Sequence, residues 1–429
     1  MKILLINDYG GATGGAEIQM LTIRQLLRDR NHDVRLFSSN AELVTDSPIL
    51  ADYTCYGTTS KAQVISHTAN LSAYLSLKKA LEEFQPDVIH VRMFLWQLSP
   101  MILPLLKPYP AVYQAAVYKA ICPIGTNILP SGKPCDFAPG KACLQQNCLT
   151  PQTWVWMMAQ RSLWQRWKGA FNHIVALSQG MKAQIEQANI GCGPNVKRIP
   201  ISVIYNGTPE RAARPPLRSP PTVGYAGRFT AEKGIDTLFK AFATVTRSIP
   251  EAQLMMAGKG PLENDLRALA KELGIETNID WLGHVPQDEL ERAFDQLWVQ
   301  AVPSLWAEPF GNVTTEAMMR GTAVVASAVG AQPEIVGSAN RGGDSVGTLV
   351  PPGDEARLAD ALLPILQDEA LAEQMGAAGR RRVMAHFGEQ QCVDNFLTLY
   401  SDLTQASTAN VSANVSAGTS KTQYADTPH

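Results

Sequence analysis

The sequence predicts an α/β protein made of two domains, each built on a parallel β-sheet. In both halves of the chain, short apolar segments rich in β-branched residues alternate with longer amphipathic segments, as in parallel sheets covered by helices on both faces. The 429 residues exceed the size of one ordinary domain. Residues 208–221 contain five prolines and almost no aliphatic side chains, which indicates a linker between two halves. We therefore expect two Rossmann-like domains that face each other across a cleft.

Individual elements follow from the same patterns. The predicted strands are Lys2–Asp8, Asp33–Ser38, Asp87–Arg92, Ala111–Gln114, Ile174–Ser178, Val223–Ala226, Gln253–Ala257, Ile279–Leu282, Trp298–Pro303 and Ala323–Ser327. The predicted helices cover residues 16–29, 153–171, 234–247, 261–273, 309–320, 355–367, 369–385 and 389–403.

These elements divide the chain into regions. The N-terminal domain is predicted over 1–207, with a Cys-containing insertion at 122–150. After the linker at 208–221, the C-terminal domain covers 222–385. A terminal helical region follows at 386–403. The Ser-, Thr-, Ala- and Asn-rich tail, 404–429, has too little apolar surface to fold and is expected to be disordered.

Charge and hydropathy exclude several classes of function. With 37 basic and 39 acidic residues the net charge is −2, so the chain has no overall basic field for nucleic acid. The apolar run at Ile3–Ile6 ends at Asn7, too early for a signal peptide, and no apolar stretch is long enough to span a membrane. We expect a cytoplasmic protein, with peripheral contact to the inner membrane face as an open alternative.

The segment 306–321, W-A-E-P-F-G-N-V-T-T-E-A-M-M-R-G, carries the clearest functional pattern. Pro309 suits the first position of a helix, which puts Glu308 on the preceding loop and the unpaired amides of residues 310–312 at an anion-binding helix start. Glu316 then lies two turns further on. Carboxylates accept from sugar hydroxyls while amides donate to phosphate, so the pattern suits a polyol phosphate. A proline-initiated helix with two surface glutamates is the alternative.

Two further turns follow predicted strands, where open parallel sheets bind ligands. Gly227–Gly234, G-R-F-T-A-E-K-G, supplies Arg228 and Lys233 as cations for a diphosphate, although a solvated basic turn has the same composition. Gly10–Glu17 is Gly-rich but lacks the G-x-G-x-x-G spacing of dinucleotide-binding proteins. Its backbone is better suited to approach a sugar phosphate.

Together these motifs resemble glycosyltransferase family 4, whose members have the GT-B fold and use nucleotide-sugar donors. The likeness extends from Met1 to about Tyr400, and its most specific part is E-P-F-G-x-x-x-x-E-A-M-x-x-G at Glu308–Gly321. The family's G-R-x-x-x-E-K-G pattern matches Gly227–Gly234. Supporting matches are Gly14–Glu17, Asn206–Gly207, Leu282–Val285 and Gly347–Asp354.

The resemblance implies roles for individual residues. Arg228 and Lys233 would neutralise the donor diphosphate, Glu316 would bind the ribose, and Glu308 would hold the transferred sugar. The other donor-binding residues implied are Gly14, Gly15, Val285, Phe310, Gly311 and Asn312. The resemblance also implies that the helix at 389–403 crosses back to pack on the N-terminal domain.

The implied activity is retaining, metal-independent transfer of a sugar from a UDP-, GDP- or ADP-linked donor to a glycan or lipid-linked acceptor. Two cations and a helix start can stabilise the leaving diphosphate without a metal. The chain has no Asp-x-Asp pair to hold one.

One family feature is missing. Members with Cys-Pro after the third N-domain strand often carry His-Asp shortly before it, and here Ala116 and Val117 stand at those positions. His90, Tyr118 and Lys119 are the remaining acceptor-side candidates. A nucleotide-sugar-binding pseudo-enzyme is therefore one alternative, and a nucleotide-sugar epimerase is another.

Two features outside these motifs need their own explanation. Cys122, Cys135, Cys143 and Cys148 lie in the Gly- and Pro-rich insertion, where they would hold a structural zinc ion, form disulfides or remain free thiols. The helix predicted at 153–171 places Trp156, Leu163, Trp164, Trp167 and Phe171 on one face. That face would dock on a membrane or pack on its own domain.

Overall fold

The computed structural model describes residues 1–42, 48–60, 63–190, 192, 198–218, 220–337 and 345–419, with 409–419 described as backbone. Within these residues it contains two parallel β-sheets, which confirms the predicted two-domain architecture.

The N-terminal sheet is centred on the first strand of the chain. In this part of the structure its seven strands are β1 (Lys2–Tyr9), β2 (Asp33–Ser39), β3 (Tyr53–Cys55), β4 (Val88–Val91), β5 (Ala111–Ala115), β6 (His173–Ala176) and β7 (Ile201–Val203). They are ordered β3-β2-β1-β4-β5-β6-β7. The strands β2 and β3 lie on one side of β1 and the strands from β4 onward lie on the other, so the strand order reverses beside β1. Seven of the eight residues of β1 are buried, as expected of a strand covered on both faces.

The C-terminal sheet repeats this plan. The strands described are β8 (Thr222–Ala226), β9 (Gln253–Ala257), β10 (Ile279–Gly283), β11 (Val299–Val302), β12 (Ala323–Ser327) and β13 (Thr348–Val350). Their order is β10-β9-β8-β11-β12-β13, and the reversal lies beside β8. Ligands of open parallel sheets bind beyond the carboxyl ends of the strands at such reversals, which here are the loops after β1 and β8.

Helices cover both sheets. Those of the N-terminal domain are α1 (Gly15–Asp29), α2 (Gln63–Thr68), α3 (Leu71–Phe84), α4 (Leu103–Leu106), α5 (Ala142–Gln145), α6 (Pro151–Trp167) and α7 (Gln179–Gln187). Those that follow are α8 (Ile235–Ser248), α9 (Glu263–Glu272), α10 (Gln287–Ala293), α11 (Asn312–Met319), α12 (Gln332–Val336), α13 (Glu355–Gln367), α14 (Glu369–His386) and α15 (Glu389–Thr419).

The last helix returns to the N-terminal domain, as expected. Val393, Phe396 and Tyr400 of α15 are fully buried against Ile3 and Leu5 of β1. This packing continues the N-terminal core with residues from the far end of the sequence.

The predicted end of this helix is wrong. We expected a disordered tail from residue 404, but α15 continues to Thr419. The helix is already formed and anchored by its buried first half, and extending an existing helix is easier than starting one, so it continues beyond its apolar face. Residues 420–429 lie outside the described part of the chain.

The two connections between the domains run side by side. The backbone N–H of Thr208 donates to the carbonyl of Phe387 at 2.7 Å, and the N–H of Glu389 donates to the carbonyl of Thr208 at 3.3 Å. A Cβ atom at Gly207 would lie 2.4 Å from the Cα of Glu389, so only glycine permits this approach. None of the helices in the described ranges has the length and apolar character needed to cross a bilayer.

Candidate active site

The start of α11, which follows β11, meets the N-terminal domain across the cleft. Asn312, the first residue of α11, lies between two N-domain segments. Its Oδ1 accepts a hydrogen bond from Asn206 Nδ2 at 3.0 Å. On the other side, a Cβ atom at Gly15 would come within 3.2 Å of Asn312 Nδ2. The structure therefore brings two of the predicted donor-binding residues, Gly15 and Asn312, together.

Lys233 and Glu308 form the charged centre of the site. Lys233 Nζ donates to Glu308 Oε1 at 2.7 Å, and the Ser304 hydroxyl donates to the same oxygen at 2.5 Å. Glu308 is 7% exposed, so this ion pair is largely shielded from water. Both of these hydrogen bonds go to Oε1.

The turn that carries Lys233 is fixed by glycine. Gly234 has a φ of 64°, and a Cβ atom there would lie 2.2 Å from the carbonyl oxygen of Pro303. The close approach joins the loop after β8 to the loop after β11, which carries Glu308. Arg228 lies on the same turn, but its side chain is 70% exposed and its Nη2 is 3.5 Å from Glu232. Arg228 is thus accessible from solvent, whereas Lys233 is already engaged.

The predicted start of the following helix is wrong by three residues. We placed Pro309 at its first position, but α11 begins at Asn312 after an N-cap at Gly311. Phe310 is the reason, because it is 3% exposed and packs against Tyr205 and Phe387, which holds the preceding loop away from the helix axis. The amides of Phe310 and Gly311 therefore belong to a loop beside Glu308.

A cavity of about 320 Å³ is lined by Glu316 of α11 and by Ala226 at the end of β8. The cavity is also lined by Arg211 from the linker, Glu291 from α10 and Gln300 from β11. Arg211 Nε is 3.2 Å from Glu291 Oε1, so an ion pair closes one side of the cavity. Val285 lies on the loop between β10 and α10, immediately before the helix that contributes Glu291.

The environment of Glu316 favours its neutral form. Burial raises the pKa of this carboxyl to about 7, and the charge of Glu291 adds to the increase while Arg211 opposes it. Near neutral pH the carboxyl is therefore distributed between both forms. The ionised form offers two equivalent acceptor oxygens to a vicinal diol such as that of ribose, whereas the neutral form carries a proton on one of them and is the weaker acceptor.

The acceptor-side candidates have different surroundings. His90 is fully buried, where its Nδ1 lies 2.6 Å from the Tyr400 hydroxyl and its Nε2 3.0 Å from Gln114 Oε1. The ring thus joins β4 to α15 and is not brought to the cleft. Ala116, at the position of the family histidine, packs in a small apolar cluster with Tyr9 and Met93.

Lys119 and Tyr118 both lie on the turn after β5. Lys119 is 7% exposed, its Nζ is 3.9 Å from the centre of the Trp96 ring, and it donates to the carbonyl of Pro123. Burial lowers the pKa of Lys119 to about 8. Tyr118 points toward the C-terminal domain, where its ring meets the edge of Trp306 with centroids 6.2 Å apart.

The four clustered cysteines line one small cavity in the insertion. All four are free thiols, so the disulfide alternative is not realised. Across the described ranges, no group of three or more His, Cys, Asp or Glu side chains is arranged to hold a metal ion, and the structural zinc alternative has no support.

The tryptophan-rich helix packs mainly on its own domain. Trp164 of α6 is 2% exposed and lies with Phe171 in the N-terminal core beside Phe94. The predicted single apolar face is therefore largely internal. Val155 and Trp156, near the start of α6, remain 59% and 39% exposed.

Part of this chain is similar to known proteins. Residues 209–382 match the family model for glycosyl transferases group 1. A phosphatidyl-myo-inositol mannosyltransferase of Mycobacterium leprae is 36% identical over 179 residues, which cover 42% of this chain and 45% of that protein. A glycogen synthase of Mycobacterium tuberculosis is 26% identical over 328 residues, covering 75% of this chain and 70% of that protein. The chain thus spans about half the length of the mannosyltransferase.

Solved structures show the fold over nearly the whole chain. A sucrose-phosphate synthase from Thermosynechococcus elongatus superposes with a TM-score of 0.70 at 22% identity, covering 95% of this chain and 100% of that one. HepE from Anabaena in complex with UDP gives a TM-score of 0.65 at 19% identity, covering 94% and 100%. The fold is GT-B.

Sequence reasoning missed several residues that line the site. Trp306 stands two positions before Glu308 and could have been noticed as a hydrogen-bond donor. Arg211 gave no signal, because it lies in a Pro-rich segment typical of a linker. Glu291 lies on a helix and Gln300 on a strand, in segments with no motif that indicates a ligand site. Only the tertiary fold brings them to the cavity.

Proposed function

We propose that this protein is a retaining, metal-independent glycosyltransferase of family 4 that takes a sugar from a nucleotide-sugar donor. The observation that carries the proposal is the shielded Lys233–Glu308 pair, whose glutamate lies on the loop before α11, the helix whose Glu316 lines the cavity. Both lie in the segment that matches glycosyl transferases group 1, at the sheet edge where parallel sheets bind ligands. The acceptor is proposed to be a glycan or a lipid-linked sugar.

In this mechanism the nucleoside occupies the cavity, with the ribose diol donating to Glu316. The diphosphate lies near Lys233 and Arg228, whose charges stabilise the negative charge that develops as the sugar leaves. Gly14 and Gly15 approach the diphosphate from the other domain. Glu308 accepts from hydroxyls of the sugar and fixes its orientation.

Retention follows from a front-face displacement. The bond between C1 of the sugar and the phosphate oxygen breaks, and the acceptor oxygen bonds to C1 on the same face. The acceptor proton passes to the departing phosphate oxygen, so no separate general base is needed. This feature suits a site in which Ala116 stands at the position of the family histidine.

The proposal is tested by calorimetry and slow hydrolysis with a panel of UDP-, GDP- and ADP-sugars, with and without EDTA. We expect one donor to bind selectively and to release its nucleotide at a rate that EDTA does not change. Lys233→Ala and Glu308→Gln should abolish release, whereas Glu272→Gln on the exposed end of α9 should not. No binding of any donor would overturn the proposal.

The pseudo-enzyme alternative rests on Ala116 and makes a different prediction. It requires donor binding without hydrolysis or transfer to any acceptor. If that result is obtained, Ala116→His tests whether the missing imidazole is the cause.

Peripheral membrane contact is a further part of the proposal. Val155 and Trp156 on α6 and Ile65 on α2 are at least 39% exposed, and the two helices are joined by a hydrogen bond from the Thr68 hydroxyl to the carbonyl of Trp156. Such a surface suits the interface of a membrane that presents a lipid-linked acceptor. Liposome flotation of the wild type and of Trp156→Ser should differ, and equal, negligible binding would exclude the contact.

A further inference from the structure

Two buried polar atoms near Glu308 lack a hydrogen-bond partner within the residues the structure describes. They are the hydroxyl of Tyr118 and the indole Nε1 of Trp306. Tyr118 is 1% exposed and comes from the N-terminal domain, whereas Trp306 belongs to the loop after β11 of the C-terminal domain. The two rings are in edge contact across the domain boundary, at an interplanar angle of 82°.

Both atoms border the charged centre described above. Lys233 Nζ lies 5.5 Å from the centre of the Trp306 ring while it donates to Glu308 Oε1. Burial raises the pKa of the Tyr118 hydroxyl well above its usual range, and the charge of Glu308 is the next largest cause. Tyr118, Trp306, Lys233 and Glu308 thus form one group with contributions from both domains.

The chemistry of this group is specific. A buried polar atom without a partner destabilises the protein, so such atoms are usually satisfied by a ligand or by water. The tyrosine hydroxyl donates and accepts, the indole N–H only donates, and the carboxylate only accepts. That combination is complementary to adjacent hydroxyl groups of a sugar, each of which donates one hydrogen bond and accepts others.

We propose that Tyr118 Oη and Trp306 Nε1 hydrogen-bond the transferred sugar of the donor, so that each domain supplies one direct sugar contact beside Glu308. This inference rests on the proposed function and deepens it. It moves Tyr118 from the acceptor side to the donor sugar and assigns a binding role to Trp306. The nucleoside diphosphate portion of the donor touches neither atom.

The experiment measures the part of the affinity that the sugar contributes. Dissociation constants are determined by calorimetry for a nucleotide sugar and for the matching nucleoside diphosphate, with the donor chosen as the tightest binder of the panel. In Tyr118→Phe and Trp306→Phe, affinity for the nucleotide sugar should fall about tenfold. Affinity for the nucleoside diphosphate should stay within about twofold of the wild type.

Matched controls are Tyr56→Phe and Trp156→Phe, which make the same chemical changes at exposed positions. They should alter neither affinity. Because the Tyr118 hydroxyl has no hydrogen-bond partner among the described residues, Tyr118→Phe should also leave the unfolding temperature of the free protein unchanged or slightly higher. A lower unfolding temperature together with weaker binding would indicate a structural hydrogen bond and would overturn the inference.

The remaining outcomes separate the two proposals. In one outcome the wild type binds both ligands, while the ratio of its affinity for the nucleotide sugar to its affinity for the nucleoside diphosphate is unchanged in both variants. That result refutes the sugar contacts and leaves the glycosyltransferase proposal standing. If the wild type binds no nucleoside diphosphate or nucleotide sugar, both proposals fail.

Discussion

The affinity of this protein for its donor should depend on pH through Glu316. The pKa of this carboxyl is about 7 because of burial and the nearby Glu291. If the ribose diol binds the ionised form alone, about a tenth of the protein is competent at pH 6 and about nine tenths at pH 8. Affinity should therefore rise about tenfold over this interval, equivalent to about 1.4 kcal/mol.

The assay is calorimetry with a nucleotide sugar, whose diphosphate has no ionisation between pH 6 and pH 8. Glu316→Gln is the key variant, since its neutral amide occupies the same space and accepts at one oxygen. It should bind about tenfold more weakly than the wild type at pH 8 and show no dependence on pH. Wild-type affinity that is flat over this range, or an equal slope in the variant, would refute the reasoning.

Three further results are expected from stability measurements. Without ligand, Glu316→Gln should be more stable than the wild type by about 1–3 kcal/mol at pH 8, allowing for screening by water in the cavity. A raised pKa in the folded protein costs stability as pH increases from about 4.5 to about 7, so urea unfolding at pH 4 should show no difference. Tyr400→Phe removes the hydroxyl bonded to His90 and should lower the unfolding free energy by about 1–3 kcal/mol without affecting donor affinity; weaker donor binding would contradict a purely structural role. Trp164→Ala should cost about 3–5 kcal/mol, whereas Trp156→Ala should cost less than about 1 kcal/mol, and similar costs would contradict the packing described for α6.

The centre of each sheet could be predicted from the sequence, whereas three edge strands could not. The interior strands are buried on both faces, so they are continuous apolar runs that stand out from their surroundings. The missed strands, Tyr53–Cys55, Ile201–Val203 and Thr348–Val350, have three residues each and end a sheet. They are partly exposed and too short to show a period, so only pairing with a neighbour defines them.

The site shows the same division between local and tertiary information. Glu308 and Lys233 lie in short motifs whose residue types already indicate their chemistry. The start of α11 depended on where Phe310 packs, which is a property of the assembled domain interface. The apposition of Arg211 and Glu291 joins a linker to a helix about 80 residues away in the chain. No local pattern encodes such a contact.

The return of α15 to the first domain also determines when that domain can finish folding. Val393, Phe396 and Tyr400 complete an apolar layer that begins with Ile3 and Leu5. On a ribosome these two parts of the layer emerge with almost the entire chain between them. The first domain must therefore keep an incomplete apolar surface exposed while the second is made, a period in which chains of this size are prone to aggregate. Chaperones should therefore bind mainly to the first domain during synthesis. Chains that terminate before α15 should also misfold in the first domain, because they lack the helix that covers its apolar layer.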